Sequence, residues 1–189
     1  IYCVRLLYLY PDEITEEIIT AIKNSKKTAH YLDLPMQHIS DNVLGRMNRR
    51  GGGKLIRNVI ERFRSELPDC VIRTSLIVGF PGETEEDYKE LRSFLEEARL
   101  DRVGIFKYSK EEGTEAAAMS PQISRSVKQR RYDALMTLQQ KISLEKNILR
   151  VGKIYDVIVD GFSEDGLFYK GRSYAEAPET DGVIYFCLL

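Results

Sequence analysis

Hydrophobic positions along this chain gather into four compact runs, residues 3–9, 29–34, 71–78 and 102–108, with stretches of helical periodicity between them. The runs predict strands, and the third, rich in β-branched side chains, reads as a buried one. After the first run Ile14, Ile18 and Ile22 recur at i, i+4 spacing. After the second comes an arginine-rich helix from about Asp41, a break at Gly51-Gly52-Gly53, and a helix with Leu55, Val59, Phe63 and Leu67 on one face. After the third, Thr84 is a good N-cap, with Asp87 as a shortened capping-box acid, and Tyr88, Leu91, Leu95 and Ala98 follow at helical spacing. This alternation predicts an α/β fold with a parallel sheet and right-handed crossovers, either a barrel or a doubly wound sheet. Pro121 opens a long helical stretch whose apolar face is Leu135, Leu138, Ile142 and Leu149, closed by Val151-Gly152. From Lys153 the texture changes: residues 154–159 alternate, Gly161 and Gly166 mark turns and residues 183–188 are strand-like, which predicts the start of a small antiparallel β module.

Composition narrows the class without choosing a function. With 43% hydrophobic and 30% charged residues over 189 positions, the chain suits a soluble globular protein with one sizeable core and a small appendage. A net charge of −1 selects no partner. No apolar run approaches the ~18 residues that cross a bilayer, and Pro11 and Asp12 interrupt any signal peptide, so a cytoplasmic location is expected. Cys3, Cys70 and Cys187 are odd in number and far apart, which suits reduced, buried structural thiols better than a disulfide framework or a metal cluster. The chain starts at Ile1 and stops at Leu189, both inside strand-like runs, as a fragment would.

In parallel α/β folds functional groups collect at the C-terminal ends of the strands. Here those ends are Tyr8-Leu9-Tyr10-Pro11, the loop from Pro35 through Gln37 and His38 to Asp41, Gly79-Phe80-Pro81-Gly82-Glu83, and the loop from Tyr108 to Thr114. Four polar or glycine-rich loops on one rim make a site. The third is the most informative, because Gly79 and Gly82 let the backbone turn sharply and approach a ligand just before an acidic helix start, although an ordinary βα loop could read the same way. Classical nucleotide motifs are absent: the triple glycine before Lys54 lacks phosphate-loop spacing, and no G-x-G-x-x-G occurs. His38 has no second histidine or carboxylate at ligand spacing and reads as a hydrogen-bonding loop residue. Two basic stretches, Arg46, Arg49, Arg50, Lys54 and Arg57, then Arg125, Lys128, Arg130 and Arg131, read either as solvated helix faces or as contacts to RNA or the ribosome.

Taken together, the Pro35-Met36-Gln37-His38 loop, Met47-Asn48-Arg49, the segment from Thr74 to Thr84, the run from Phe106 to Thr114, Gly171-Arg172-Ser173, and Ala177-Pro178-Glu179-Thr180-Asp181-Gly182 resemble the radical-SAM methylthiotransferases nearly end to end. Their variants look most like the branch that methylthiolates the β-carbon of an aspartate in a small-subunit ribosomal protein. The resemblance implies the second half of a partial (βα)6 barrel at 1–120, a connecting helix at 121–150 and the first part of a TRAM β-barrel at 151–189. It implies that S-adenosylmethionine lies along the segment from Ser75 to Gly82, with Ile77 against the adenine, Gly79 and Gly82 allowing close approach, Gln37 nearby, and the strand from Phe106 to Tyr108 flanking the ring.

The resemblance also implies 4Fe-4S clusters, yet neither the family's CxxxCxxC triplet nor three further clustered cysteines occur in these residues. The chain alone is therefore expected to be inactive and to bind no cluster. Residues 151–189 carry three basic against seven acidic side chains, a net charge of −4 that should repel a nucleic-acid backbone and attract a basic ribosomal protein. The rival readings are a tRNA methylthiotransferase and a non-catalytic RNA- or ribosome-binding relative that uses its basic helices.

Overall fold

The computed structural model describes residues 3–187. A four-stranded parallel sheet is built from β1 (Val4–Leu6), β2 (Thr28–Asp33), β3 (Val71–Val78) and β4 (Arg102–Lys107), in the spatial order β1-β2-β3-β4. A 3-10 turn at Pro11–Glu13 and helix α1 (Glu16–Asn24) connect the first pair, α2 (Asp41–Arg46) and α3 (Gly52–Glu66) the second, and α4 (Glu85–Ala98) the third. A single turn, α5 (Glu115–Ala118), precedes the long helix α6 (Arg125–Ile148). The antiparallel sheet β5 (Ile158–Phe162), β6 (Tyr169–Arg172), β7 (Ile184–Phe186) follows, in that order. Parallel strands paired in chain order with helical crossovers are the arrangement of the half-barrel that the resemblance implies, and decide between the barrel and the doubly wound sheet that alternation leaves open.

Period-2 alternation divides the parallel sheet into two faces. On β3, Ile72, Leu76 and Val78 are fully buried and join Leu32, Leu34 and Ile105 in one core with Ile56, Val59, Phe63, Leu91, Phe94, Leu135 and Ile142 from the helices. The opposite face presents Tyr31, Asp33, Val71, Arg73, Ser75 and Ile77, and the β3–β4 register sets Ser75 beside Gly104 and Ile77 beside Phe106. Helix starts follow their capping chemistry. Thr15 accepts from Ile18 N, Ser124 accepts from Val127 N, and Thr84 and Asp87 form the full reciprocal capping box. At the triple glycine, Asp41 Oδ1 accepts from Gly53 N at 2.7 Å, which ties α2 to the start of α3.

Several expectations shift. Helix α6 begins at Arg125, four residues beyond Pro121, and its buried stripe is Arg131, Leu135, Gln139 and Ile142; Leu138 is half-buried and Leu149 exposed. The inner face of α3 is Ile56, Val59, Ile60 and Phe63, with Leu55 only partly covered. Strand β5 starts at Ile158 rather than at 154, because β6 leaves the ladder after Arg172 and residues 154–157 have no strand to pair with. Cys3 and Cys187 are exposed, since they flank the edge strands β1 and β7; only Cys70 is half-buried, where burial first and the nearby Asp101 and Asp69 carboxylates next push its thiol up to about 12. The strand-like reading of residues 183–188 holds for Ile184–Phe186, and Leu188 lies outside the described residues.

The segment between β6 and β7 leaves the module and closes the N-terminal mouth of the parallel sheet. Ala175 and Ala177 pack on Ala29, Tyr31 and Val71. Arg5 Nη2 donates to the carbonyls of Tyr174 and Glu176, both at 2.9 Å, and Tyr31 donates to Asp181 Oδ2 at 2.6 Å. The Glu176 carboxylate, 2% exposed, receives Arg150 at 2.6 Å, Arg102 at 3.3 Å and the Ser173 hydroxyl at 2.6 Å. With the N-terminal end stoppered in this way, the C-terminal rim is the end of the sheet left for a ligand.

Candidate functional site

Strand β3 runs out into Gly79 at φ 74°, followed by a turn closed by Glu83 N donating to Phe80 O at 3.0 Å. Pro81 stands second and Gly82, at φ 82°, third in that turn, which is the residue pattern of type II. A side chain at either glycine would be strained at that φ and would also collide with a neighbour, the Lys128 stem over Gly79 and the Arg46 guanidinium over Gly82. The close approaches at the two glycines are therefore made by cationic side chains of the chain itself.

Glu83 is the last residue of this turn, and its side chain has no exposed surface. Its Oε2 accepts from the Gly79 amide and from Arg131 Nη1 at 2.9 Å, and its Oε1 faces His38 Nε2 at 3.4 Å. Because Ser40 N donates to His38 Nδ1 at 3.0 Å, that nitrogen is the acceptor and the ring proton belongs on Nε2, directed at Glu83. Asp87 makes a second tie between the same loops. It accepts from the Ser40 hydroxyl, from Asn42 Nδ2 at 2.7 Å and from Thr84 N at 2.8 Å. Burial pushes its carboxyl up, but the bonds from Ser40, the Thr84 amide, Asn42 and the Thr84 hydroxyl outweigh burial and bring it down to about 2. The loop after β2 and the turn after β3 are thus stitched into one rim.

Inside that rim lies a shelf. Ser75 and Gly104 are small neighbours, Ile77 and Phe106 flank them one step toward the rim, and Phe106 is 56% exposed. Gln37 is bridged to this strand through its backbone: its N donates to Ser75 O at 2.9 Å, its O accepts from Ile77 N at 2.7 Å, and its φ of 68° turns the chain away from the ladder. On the same face below, Arg73 pairs with the buried Asp33 at 2.8 Å. Tyr108 is not on the shelf with Phe106. It meets Phe80 edge-on at 5.1 Å under the Lys128 ammonium, and its hydroxyl is buried with no hydrogen-bond partner among the described residues. The adjacent Ile77 and Phe106, with the Phe106 ring lying over Gly104 and the small Ser75 beside it, offer an apolar surface that fits the flat adenine of S-adenosylmethionine, and the orphan Tyr108 hydroxyl is a polar group whose partner the described chain does not provide. A cluster finds no such fit: among the described residues no group of three or more His, Cys, Asp or Glu could hold a metal ion.

Comparison with known proteins bears on the family and the fold. Residues 5–95 match the Radical SAM superfamily and residues 151–187 match a TRAM domain. A ribosomal protein uS12 methylthiotransferase RimO from Acetivibrio thermocellus is 53% identical over 183 residues, 97% of this chain and 40% of that protein. The chain belongs to the radical SAM superfamily. A second uS12 methylthiotransferase, from Alkaliphilus oremlandii, is 50% identical over 182 residues, 96% of this chain and 42% of its own length. The chain therefore spans about two fifths of the length of these relatives. Coproporphyrinogen III oxidase (HemN) of Escherichia coli, a radical SAM enzyme, shares the fold at TM-score 0.62 and 17% identity, over 74% of this chain and 32% of its own.

In this radical SAM chain the structure brings Gln37, Ser75, Ile77, Gly79, Gly82 and Phe106 to one rim, as expected from sequence, but Tyr108, expected beside the adenine with Phe106, turns to the outer side against Phe80. Sequence reading has further gaps. It passes over Glu83, which carries no apolar periodicity, and it places Arg131 and Lys128 in a surface patch. The correction is physical: Arg131 is 4% exposed and Lys128 is half-buried, because both turn inward onto the loop. The missed signal is spacing, since Arg131 falls on the same helical stripe as Leu135 and Ile142. Of the other basic residues, Arg57 pairs with Glu97 at 3.1 Å and Arg49 lies over Tyr10, while Arg50 and Lys54 are exposed.

Proposed function

We propose that these residues are the S-adenosylmethionine-binding half-barrel and module of an enzyme that methylthiolates the β-carbon of an aspartate in ribosomal protein uS12. The observation that carries this reading is 53% identity to a uS12 methylthiotransferase across 97% of the chain. In this reading 1–120 is the C-terminal half of the barrel, 121–150 the connecting helix and 151–189 the first part of the TRAM module. S-adenosylmethionine, bound with a reduced 4Fe-4S cluster, supplies the means of removing a hydrogen from an unactivated carbon. The chain's own residues hold the cofactor: Ile77 and Phe106 flank the adenine over Ser75, Gln37 offers an amide at its edge, and Gly79 and Gly82 set the turn beside it. The clusters are held by polypeptide outside these residues, because Cys3, Cys70 and Cys187 are dispersed.

A full-length polypeptide containing these residues, reconstituted anaerobically with iron and sulfide, should add one methylthio group to uS12 and none to tRNA, read by mass spectrometry. Modification of tRNA alone would overturn the choice of substrate. The 189 residues by themselves should take up no cluster, and stoichiometric iron with broad visible absorption would refute that. The substrate assignment also implies the compartment of the ribosome, and no helix of the described residues is long and apolar enough to cross a membrane. A tRNA substrate is the second reading, favoured by exposed Arg50 and Lys54 on the rim side of α3.

A further inference from the structure

The turn from Gly79 to Glu83 is held from outside by a strap that local sequence does not announce. Pro121 O accepts from Gly82 N at 2.9 Å. The Lys128 stem lies over Gly79 while its Nζ donates to Tyr108 O at 2.8 Å. Arg131 donates through Nη1 to the Glu83 carboxylate at 2.9 Å and to the Glu83 carbonyl at 3.3 Å, and through Nη2 to the Thr84 carbonyl and the Glu85 carboxylate, each at 3.1 Å. One guanidinium thus grips three successive residues, from the last of the turn onward. A buried ion pair is a weak way to gain stability, because desolvation offsets most of the attraction and a packed apolar pair can do as well. What an apolar pair cannot do is hold a carboxylate on the Gly79 amide, at the peptide where β3 stops.

We propose that Arg131 is a positioning residue for the cofactor: by seating Glu83 on the Gly79 amide it fixes the strand end that presents Ser75 and Ile77. This rests on the reading that S-adenosylmethionine lies on that shelf. The orientation of the strand end then depends on α6, and α6 leads directly to Arg150, which grips Glu176 of the segment closing the opposite mouth. Cofactor affinity therefore depends on how α6 is seated, and not only on the residues that touch the ligand. Lysine cannot reproduce the forked contact, so it should restore charge but only part of the geometry.

The test measures S-adenosylmethionine affinity by titration calorimetry and Gly79 amide exchange by mass spectrometry, on the anaerobically reconstituted full-length polypeptide containing these residues and on its Arg131→Met, Arg131→Lys and Leu135→Ala variants. Leu135 shares the helix stripe with Arg131 but belongs to the apolar core, so its alanine variant reports destabilisation alone. Expected are an affinity loss of about tenfold or more in Arg131→Met with faster Gly79 exchange, partial recovery in Arg131→Lys, and affinity within about twofold of the parent in Leu135→Ala despite its lower Tm. Parent-like affinity in Arg131→Met, or an equal loss in Leu135→Ala, overturns the positioning role. If Arg131→Met does not fold, the lysine variant decides: intermediate affinity with faster Gly79 exchange supports the role, and parent-like values in both overturn it. A cluster-loaded full-length parent that binds no S-adenosylmethionine at millimolar concentration removes the cofactor reading, whereas a parent that binds it with no change in Arg131→Met removes the positioning role alone.

Discussion

The two ends of the parallel sheet are each fastened by a buried glutamate gripped by arginine, in different solvent. At the C-terminal rim Glu83 meets Arg131, with side chains 0% and 4% exposed. At the N-terminal mouth Glu176 meets Arg102 and Arg150, whose side chains are 23% and 25% exposed. Both carboxylates are buried and both receive arginine from α6 or the residues just beyond it. The sealed pair holds a turn that faces a ligand, whereas the wetter one holds a segment of the module on the sheet. The burial difference teaches that the rim arrangement has no water to fall back on, while the mouth does.

Glu83→Ala should break that comparison most severely. It leaves the His38 and Gly79 N–H groups without their acceptor and takes one of two carboxylates from Arg131, which keeps Glu85 and the Glu83 and Thr84 carbonyls, so the loss is ~3–4 kcal/mol. Glu176→Ala should cost less, about 2–3 kcal/mol, because water can reach Arg102 and Arg150 once the carboxylate is gone. Urea unfolding of the two variants ranks them, and a larger loss at Glu176 would invert the picture. Glu176→Ala should in addition speed proteolysis within residues 173–181, which Glu83→Ala should not.

The rim can also be loosened by acid. The folded Asp87 carboxyl, at about 2, lies below the usual value of 3.8, so its stabilisation is complete above pH ~4 and is lost as pH falls toward 2. The shift corresponds to about 2 kcal/mol. Asp87→Asn should flatten the stability profile between pH 4 and 2, and an unchanged slope would show that other carboxylates carry the acid response.

These tests separate what was legible in the sequence from what was not. Strand β3 and helix α4 follow directly from local pattern, because β-branched alternation, the Phe80-Pro81-Gly82-Glu83 turn and the Thr84 cap each act within a few residues. The adjacency of Ser75, Ile77 and Phe106 needed only parallel pairing in order. The strap was hidden because Arg131 and Glu83 are 48 residues apart, and an arginine among Arg125, Lys128 and Arg130 reads as surface. The closing segment was hidden for the converse reason: Glu176 and Asp181 count as module charge in a sequence, yet in the fold they are consumed by Arg102, Arg150 and Tyr31. The net −4 of residues 151–189 therefore overstates what the module displays. Its exposed acids are Asp156, Asp160, Glu164, Asp165 and Glu179, and Asp160 is paired with Arg172.

At the mouth itself a smaller effect is expected from Tyr31→Phe. The phenol donates to Asp181 Oδ2 at 2.6 Å, but that oxygen also accepts from Ala177 N at 2.9 Å and keeps a partner when the hydroxyl is removed. About 1–2 kcal/mol is expected, as for one hydrogen bond to a charged acceptor, and a loss as large as that of Glu176→Ala would make Tyr31 the true fastener.

The least costly change for stability is informative about the partner. Arg172 holds Asp160 across β5 and β6 through two bonds of 2.6 Å, near the surface, where such a pair contributes no more than about 1 kcal/mol and salt screens it. Arg172→Gln should therefore hardly move the unfolding midpoint, yet it frees the Asp160 carboxylate and makes the module more acidic. If the module meets a basic protein, association with uS12 should quicken at low salt and the gain should vanish at high salt. If it meets tRNA instead, the same substitution should slow association, so the sign of one rate change separates the two substrates without any chemistry having to take place.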